Sequence, residues 1–272
     1  MEAFVDFFDD LSALYKLGWI FVCLIFVWLL EAVIPLIHLN YKKLKHIGTN
    51  MVFLSMTMII NVLVGIATVG VFFWIETAQF GILNWVSVPF WAEILIAVAA
   101  LDFIAQYVAH YILHRVKWMW KFHMIHHSDT EVDATTGTRH HPGDYLIREM
   151  FAIGTVVIFG IPVYLYVFYR ICSVFFTYLT HANIGLPTWL DKAISLVFVS
   201  PNMHKFHHHF ERPWTDTNFG NIFSLWDRVF GTMVYEDPKK IEYGLDVVDG
   251  TRSGDIGYQL QLPVDKRVKT DY

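Results

Sequence analysis

Apolar residues run with little interruption from Leu17 to Ile37, from Met51 to Ile75 and from Val88 to Leu113. Stretches of about 18 such residues or more are long enough to cross a bilayer as a helix, so each predicts a transmembrane span. A fourth apolar stretch, 148–181, is interrupted by Gly160 and Pro162. It is too long for one span and fits two short ones, which predicts a hairpin turning at Gly160-Ile161-Pro162. From Ser200 to Tyr272 the chain is polar, rich in Pro, Asp, Asn and Gly, and has no room for another span. The pattern predicts an all-α protein, a multi-span transmembrane helix bundle with a helical cap built from residues 115–144 and the segment from 200 onward. There is no internal repeat and no low-complexity stretch. We expect a single integral-membrane domain over 1–272, with N-terminal spans (1–87), a central region (88–235) and a polar tail (236–272).

Charge orients the bundle. Lys42, Lys43, Lys45 and His46 follow the first run, and Arg115, Lys117 and Lys121 follow the third. Basic residues concentrate in cytoplasmic loops, and an even number of crossings separates the two clusters, so both fit one topology with the cap facing the cytoplasm. Glu2, Asp6, Asp9 and Asp10 then lie on the other side. An acidic flank is not the basic start of a cleaved signal peptide, so the first run is read as a retained anchor. Arg170 falls inside the membrane, where an arginine needs a partner or a cavity. Composition agrees: 55% of residues are hydrophobic and 17% charged, against about 25% charged in soluble domains. This excludes a disordered chain, a disulfide scaffold and an ordinary soluble enzyme. The net charge of -5 gives no reason to expect nucleic acid. Cys23 and Cys172 form no CxxC pair, so no thiolate metal or redox motif is present.

Histidine changes the picture. There are 14, and all but His38 and His46 lie beyond residue 100. His110 and His114 are four apart, His123, His126 and His127 read H-x-x-H-H, and His204, His207 and His208 repeat that spacing. Positions i, i+3 and i+4 share one helix face. A lone histidine is usually a surface residue or a satisfied core residue, and we read His38 and His46 that way. Eight clustered imidazoles would repel one another if protonated, whereas a bound metal holds them neutral. Nitrogen donors favour a transition metal over Ca²⁺ or Mg²⁺, and so many exceed one ion's coordination, so two ions are expected. His181, at the end of the hairpin, is a ninth candidate ligand. Of the pair His140 and His141, His141 is taken as a candidate for orienting the site. His209 points away from the face of His204. Asp102, two turns before His110, is a candidate acceptor for a ligand N–H. There is no H-E-x-x-H, G-x-S-x-G or Walker A motif. The aromatic residues, such as Trp118 and Trp120, read as span and interface belts.

Taken in order, H-x-x-x-H (His110, His114), H-x-x-H-H-S (His123 to Ser128), T-R-x-H-P (Thr138 to Pro142) and H-x-x-H-H (His204 to His208) resemble the fatty acid hydroxylase/sterol desaturase superfamily. The stretches Asp216 to Gly220 and Trp226 to Thr232 are similar to its C-terminal signature. The alkylglycerol monooxygenase-like and bacterial sterol-desaturase-type branches are the most alike, over about residues 95–235. The resemblance implies that 88–235 is the catalytic region. It also implies two non-haem irons (zinc being a substitute in purified material), dioxygen as oxidant, a lipid substrate, surrounding membrane lipids and an external electron donor. The metal ligands it implies are His110, His114, His123, His126, His127, His204, His207 and His208. His181, within His-Ala-Asn, matches a further family histidine, with Asn183 beside it as a supporting residue. Asp102 lies one residue farther from the first histidine than the family acid, and Pro142-Gly-Asp144 departs from P-x-E; neither departure falls on a ligand position, so both bear on the substrate more than on metal binding.

The expected function is hydroxylation of a C–H bond in a fatty acyl chain, sterol or ether lipid. Desaturation or carotenoid-type hydroxylation by the same centre is the alternative. A histidine-rich metal transporter or sensor is the alternative outside enzymes. The expected location is a bacterial inner membrane or the endoplasmic reticulum, with the metal site facing the cytoplasm.

Overall fold

The long apolar runs form helices whose outer faces stay bare: Val62, Ile66 and Val69 on the second of them are each about two-thirds or more exposed, as expected of surface meant for lipid rather than water. The computed structural model describes residues 1–39 and 41–269, so the end of the polar tail, 270–272, lies outside the described residues. The elements are α1 (Glu2–Asp9), α2 (Ala13–Val33), α3 (Lys43–Ala78), α4 (Ile82–Trp85), α5 (Phe90–Ala100), a π-wound stretch (Leu101–Val108), α6 (Ala109–Arg115), α7 (Lys117–His127), α8 (Pro142–Phe159), α9 (Val163–His181), α10 (Thr188–Ile194), α11 (Pro201–His207), α12 (Leu225–Val229) and α13 (Ile256–Gln261). Among the described residues, β pairing is limited to isolated bridges such as Pro35 with Ile184. The protein is all-helical.

Among the described residues, four helical stretches are long and apolar enough to cross a membrane: Ala13–Val33, Lys43–Trp85, Phe90–Arg115 and Val163–His181. The first stops short of the expected Ile37. Pro35 supplies no backbone N–H and forces Ile34 to φ -131°, which ends the helix. The expected hairpin is present as α8 and α9, joined at Gly160 with φ +64°. Asp144, Arg148 and Glu149 make α8 more polar than the other long helices.

Two turns meet at one end of the bundle. A Cβ at Gly81 would lie 2.2 Å from the Gly160 nitrogen, so only glycine permits this approach. α1 packs there too, with Phe4 against Phe90 and Phe168. The other end carries the cap. Glu31, near the end of α2, accepts hydrogen bonds from the Ala134 and Asn183 backbones at 2.7 Å. His46, near the start of α3, sits between Asp129 at 2.9 Å and Asp133 at 3.3 Å. It is thus the satisfied core residue the sequence suggested. Phe53, Trp120, Met124 and Leu262 form a separate core that fixes part of the C-terminal segment against α7.

Candidate metal centre

Helical periodicity brings the histidines together. α6 carries His110 and His114, α7 carries His123, His126 and His127, α9 ends in His181, and α11 carries His204 and His207 with His208 at its C-cap. α11 starts where it must: Ser200 caps it by accepting from the Met203 N–H at 3.3 Å, and Pro201 occupies its first turn. The nine rings fall into two groups. His110, His114, His123, His127 and His207 offer ligand nitrogens within 4.8 Å of one another, and so do His126, His181, His204 and His208. The groups interlock, with His127 and His208 ring centres 4.7 Å apart.

The spacing fits ions. His110 Nε2 and His123 Nε2 lie 3.0 Å apart, His123 and His127 Nε2 3.2 Å, His126 and His181 Nε2 3.0 Å, and His181 and His204 Nε2 3.2 Å. Two nitrogens each roughly 2.1 Å from one ion, at right angles, stand roughly 3.0 Å apart. All nine residues are buried, and His114 Nε2, His207 Nε2 and both ring nitrogens of His208 have no protein partner. Buried polar atoms are almost always satisfied, so these orphaned nitrogens suit a transition-metal pair.

On five of the nine rings the opposite nitrogen is held, whereas Nδ1 of His126, His127, His204 and His208 has no protein partner. His110 Nδ1 donates to the Phe219 carbonyl at 2.9 Å, His207 Nδ1 to the Thr217 carbonyl at 2.7 Å and His181 Nδ1 to the Thr177 carbonyl at 2.6 Å. His114 Nδ1 faces Asp216 at 3.2 Å, and His123 Nδ1 faces Asp144 at 3.4 Å. Such partners fix the tautomer and leave Nε2 free to ligate. Burial, reinforced by neighbouring imidazoles, holds His123, His126, His127, His204 and His208 well below the usual histidine range. Burial also brings His207 to about 3. The rings are therefore neutral donors at pH 7.

Three expected supporting residues do something else. Asp102 touches no histidine. It stands eight residues before His110, across the π-wound stretch, and instead accepts from Tyr169 Oη, Ile222 N, Phe223 N and Trp226 Nε1 at 2.9–3.1 Å. With Asp227, which accepts from Phe219 N and Gly220 N, it pins the loop whose carbonyls hold His110 and His207. His141 caps α8 by accepting from the Gly143 N–H at 2.9 Å; the neighbour at the site is His140, stacked on His126 with 4.7 Å between ring centres. Asn183 lies past the end of α9 and bonds to both backbone groups of Ile37. His209 stacks on Trp214, off the site. Two carboxylates that contact ligands, Asp144 and Asp216, were not anticipated. Asp144 had a signal, since it stands four residues after His140 and bonds to it at 2.6 Å. Asp216 had none, because its partner is 102 residues away.

A cavity of about 220 Å³ with mixed polar and apolar walls reaches His110, His126, His181 and His204. An apolar slot of about 540 Å³ lies farther out, lined by residues such as Val64, Phe72, Phe73 and Val167.

The sequence model of one family, Fatty acid hydroxylase, matches residues 94–232, a range that contains all nine histidines. Ornithine lipid hydroxylase OlsE of Rhizobium tropici is 24% identical over 181 residues, covering 66% of this chain and 52% of that protein. Alkylglycerol monooxygenase of Homo sapiens is 27% identical over 156 residues, covering 55% of this chain and 32% of that protein. The Caenorhabditis elegans alkylglycerol monooxygenase is 27% identical over 152 residues, covering 53% and 28%. The chain thus spans about half the length, or less, of these curated relatives. No solved structure matches.

Proposed function

The chain belongs to the fatty acid hydroxylase family, and on that footing we propose that it is a membrane-bound oxygenase that hydroxylates a lipid at a centre of two non-haem irons. One observation carries this reading: nine buried imidazoles from four separate helical segments form two interlocking nitrogen groups. His110, His114, His123, His127 and His207 would hold one ion, and His126, His181, His204 and His208 the other. When bound, the irons supply dioxygen activation and C–H cleavage, which no side chain performs unaided.

The chain's own contribution is binding, orientation and exclusion of water. The carbonyls of Thr177, Thr217 and Phe219 and the carboxylates of Asp144 and Asp216 aim the rings inward. The outer slot admits a lipid chain from the bilayer, and the inner cavity presents it to the histidines. Overall, a lipid C–H bond and dioxygen, with two electrons and two protons from an external donor, give an alcohol and water. The residues of the site include no redox carrier of their own, and the two electrons would come from an external donor. Region 88–235 is the catalytic unit of a single membrane domain. We read the cap as cytoplasmic because Lys42, Lys43, Lys45 and Arg115 all flank the histidine end of the bundle.

Lipid analysis of cells with and without the protein, grown under ¹⁸O₂, tests the proposal. A lipid carrying one ¹⁸O as a hydroxyl supports it. Absence of any labelled lipid, or a product that gains only a double bond, overturns the hydroxylase reading.

A further inference from the structure

The two cavities share a collar. Asn61, Glu149 and Arg170 line both, with Ile20 and Val174 completing the ring. Arg170 Nη1 donates to Glu149 Oε1 at 2.6 Å and Arg170 Nη2 donates to Tyr145 Oη at 3.2 Å. Tyr145 Oη donates to Asn61 Oδ1 at 2.9 Å, and Tyr166 Oη donates to Glu149 Oε2 at 3.3 Å. Inward of the collar the walls are mixed, with the polar Gln106, Arg148, Thr177 and Asn221 beside Leu54 and Met58. Outward they are mainly apolar. At the collar and inward of it the charges are balanced, since Arg170 pairs with Glu149 and Arg148 with Asp144, while Lys16 and Glu76 line only the outer slot.

A hydrocarbon tail pushed through this collar would strip water from the inner polar groups and give nothing back, and leaving a buried donor or acceptor unpaired is costly. A lipid with its polar end inward satisfies both compartments. In the inner cavity this balance disfavours a free carboxylate, which would meet Glu149 where both arginines are already paired. We propose that the collar of Asn61, Tyr145, Glu149 and Arg170 determines specificity: it selects lipids with a net-neutral, hydrogen-bonding head and holds that head in the inner cavity with the alkyl chain in the outer slot. This rests on the oxygenase reading and adds to it the end of the lipid that faces the histidines.

The test uses the full chain in nanodiscs, metal-free and iron-loaded, with three probes of equal chain length: hexadecylglycerol, hexadecanoate and hexadecane. Native mass spectrometry reads retention of each. Hexadecylglycerol should be retained about tenfold better than either of the others, a margin of one to two buried hydrogen bonds. Tyr145→Phe and Glu149→Gln should erase most of that preference at unchanged iron content, and Arg170→Lys should restore part of what Arg170→Gln loses. If a charge variant fails to hold iron, Tyr145→Phe and Asn61→Leu decide the matter, because they leave the ion pair in place. Equal retention of the three probes, a preference for hexadecanoate, or a preference untouched by the variants overturns the proposal. Because retention is read without turnover, head-dependent binding with no oxygen incorporation would sink the oxygenase reading and leave the collar standing.

Discussion

Replacing Asp102 by asparagine should loosen the metal centre without touching a ligand. Asp102 is completely buried. Its Oδ1 accepts from Tyr169 and Ile222, and its Oδ2 from Phe223 and Trp226. Asparagine keeps the shape but turns one oxygen into an NH₂: facing Tyr169, whose hydroxyl can turn to accept, the amide still confronts the Ile222 N–H, and facing the other way it confronts both the Phe223 N–H and the Trp226 Nε1–H. Each buried donor left unpaired costs about 1–3 kcal/mol, and the amide takes the orientation that strands only one, which puts Asp102→Asn at about 1–3 kcal/mol. The loop set free carries the Phe219 carbonyl that orients His110, and losing such support typically weakens metal binding about 10- to 100-fold. Thermal unfolding of the metal-free chain, followed by iron titration of the folded fraction, measures both effects. A variant that unfolds with the parent and binds iron equally well would refute the assignment of Asp102 as the anchor of this loop.

Asp144→Asn should leave the fold intact but lower iron affinity about 10- to 100-fold, because Asp144 faces His123 and His140 together; equilibrium dialysis reads it, and unchanged affinity counts against that role. Gly160→Ala places a Cβ 2.5 Å from the Phe80 carbonyl oxygen at φ +64°, so stability should fall by about 1–2 kcal/mol or more with iron stoichiometry unchanged at low temperature. Acid should unfold the metal-free chain. The folded pKa values of His123, His126, His127, His204 and His208 lie well below the ordinary value. Protons therefore bind the unfolded chain first, and stability is lost as pH falls below about 6.5, by up to about 1.4 kcal/mol per imidazole per pH unit. A flat stability profile from about pH 7 to about pH 5 would contradict neutral buried rings.

The site was legible where chemistry follows local periodicity. His123, His126 and His127 announce one helix face by spacing alone, and so do His204 and His207. The hairpin turn at Gly160 was equally readable, since Gly and Pro interrupt an apolar run too long for one span. What failed was the reading of partners along a single helix. Asp102 was assigned to His110 because it precedes it, yet its partners at 222–226 lie some 120 positions on. His141 and Asn183 were chosen for their sequence neighbours, whereas the chain direction at the start of α8 and the end of α9 turns both away. Asp144 and Asp216 reach their histidines through tertiary packing, which no spacing rule encodes. Arg170, costly in the membrane when alone, is explained by Glu149 one helix away.

The central claim is that distant histidines on this chain hold two adjacent ions. Iron quantification combined with X-ray absorption on the purified full chain tests it most directly. Two irons per chain, each surrounded mainly by imidazole nitrogen at roughly 2.1 Å, is the predicted result. A single ion, or a shell built mainly of carboxylate oxygen, would contradict it.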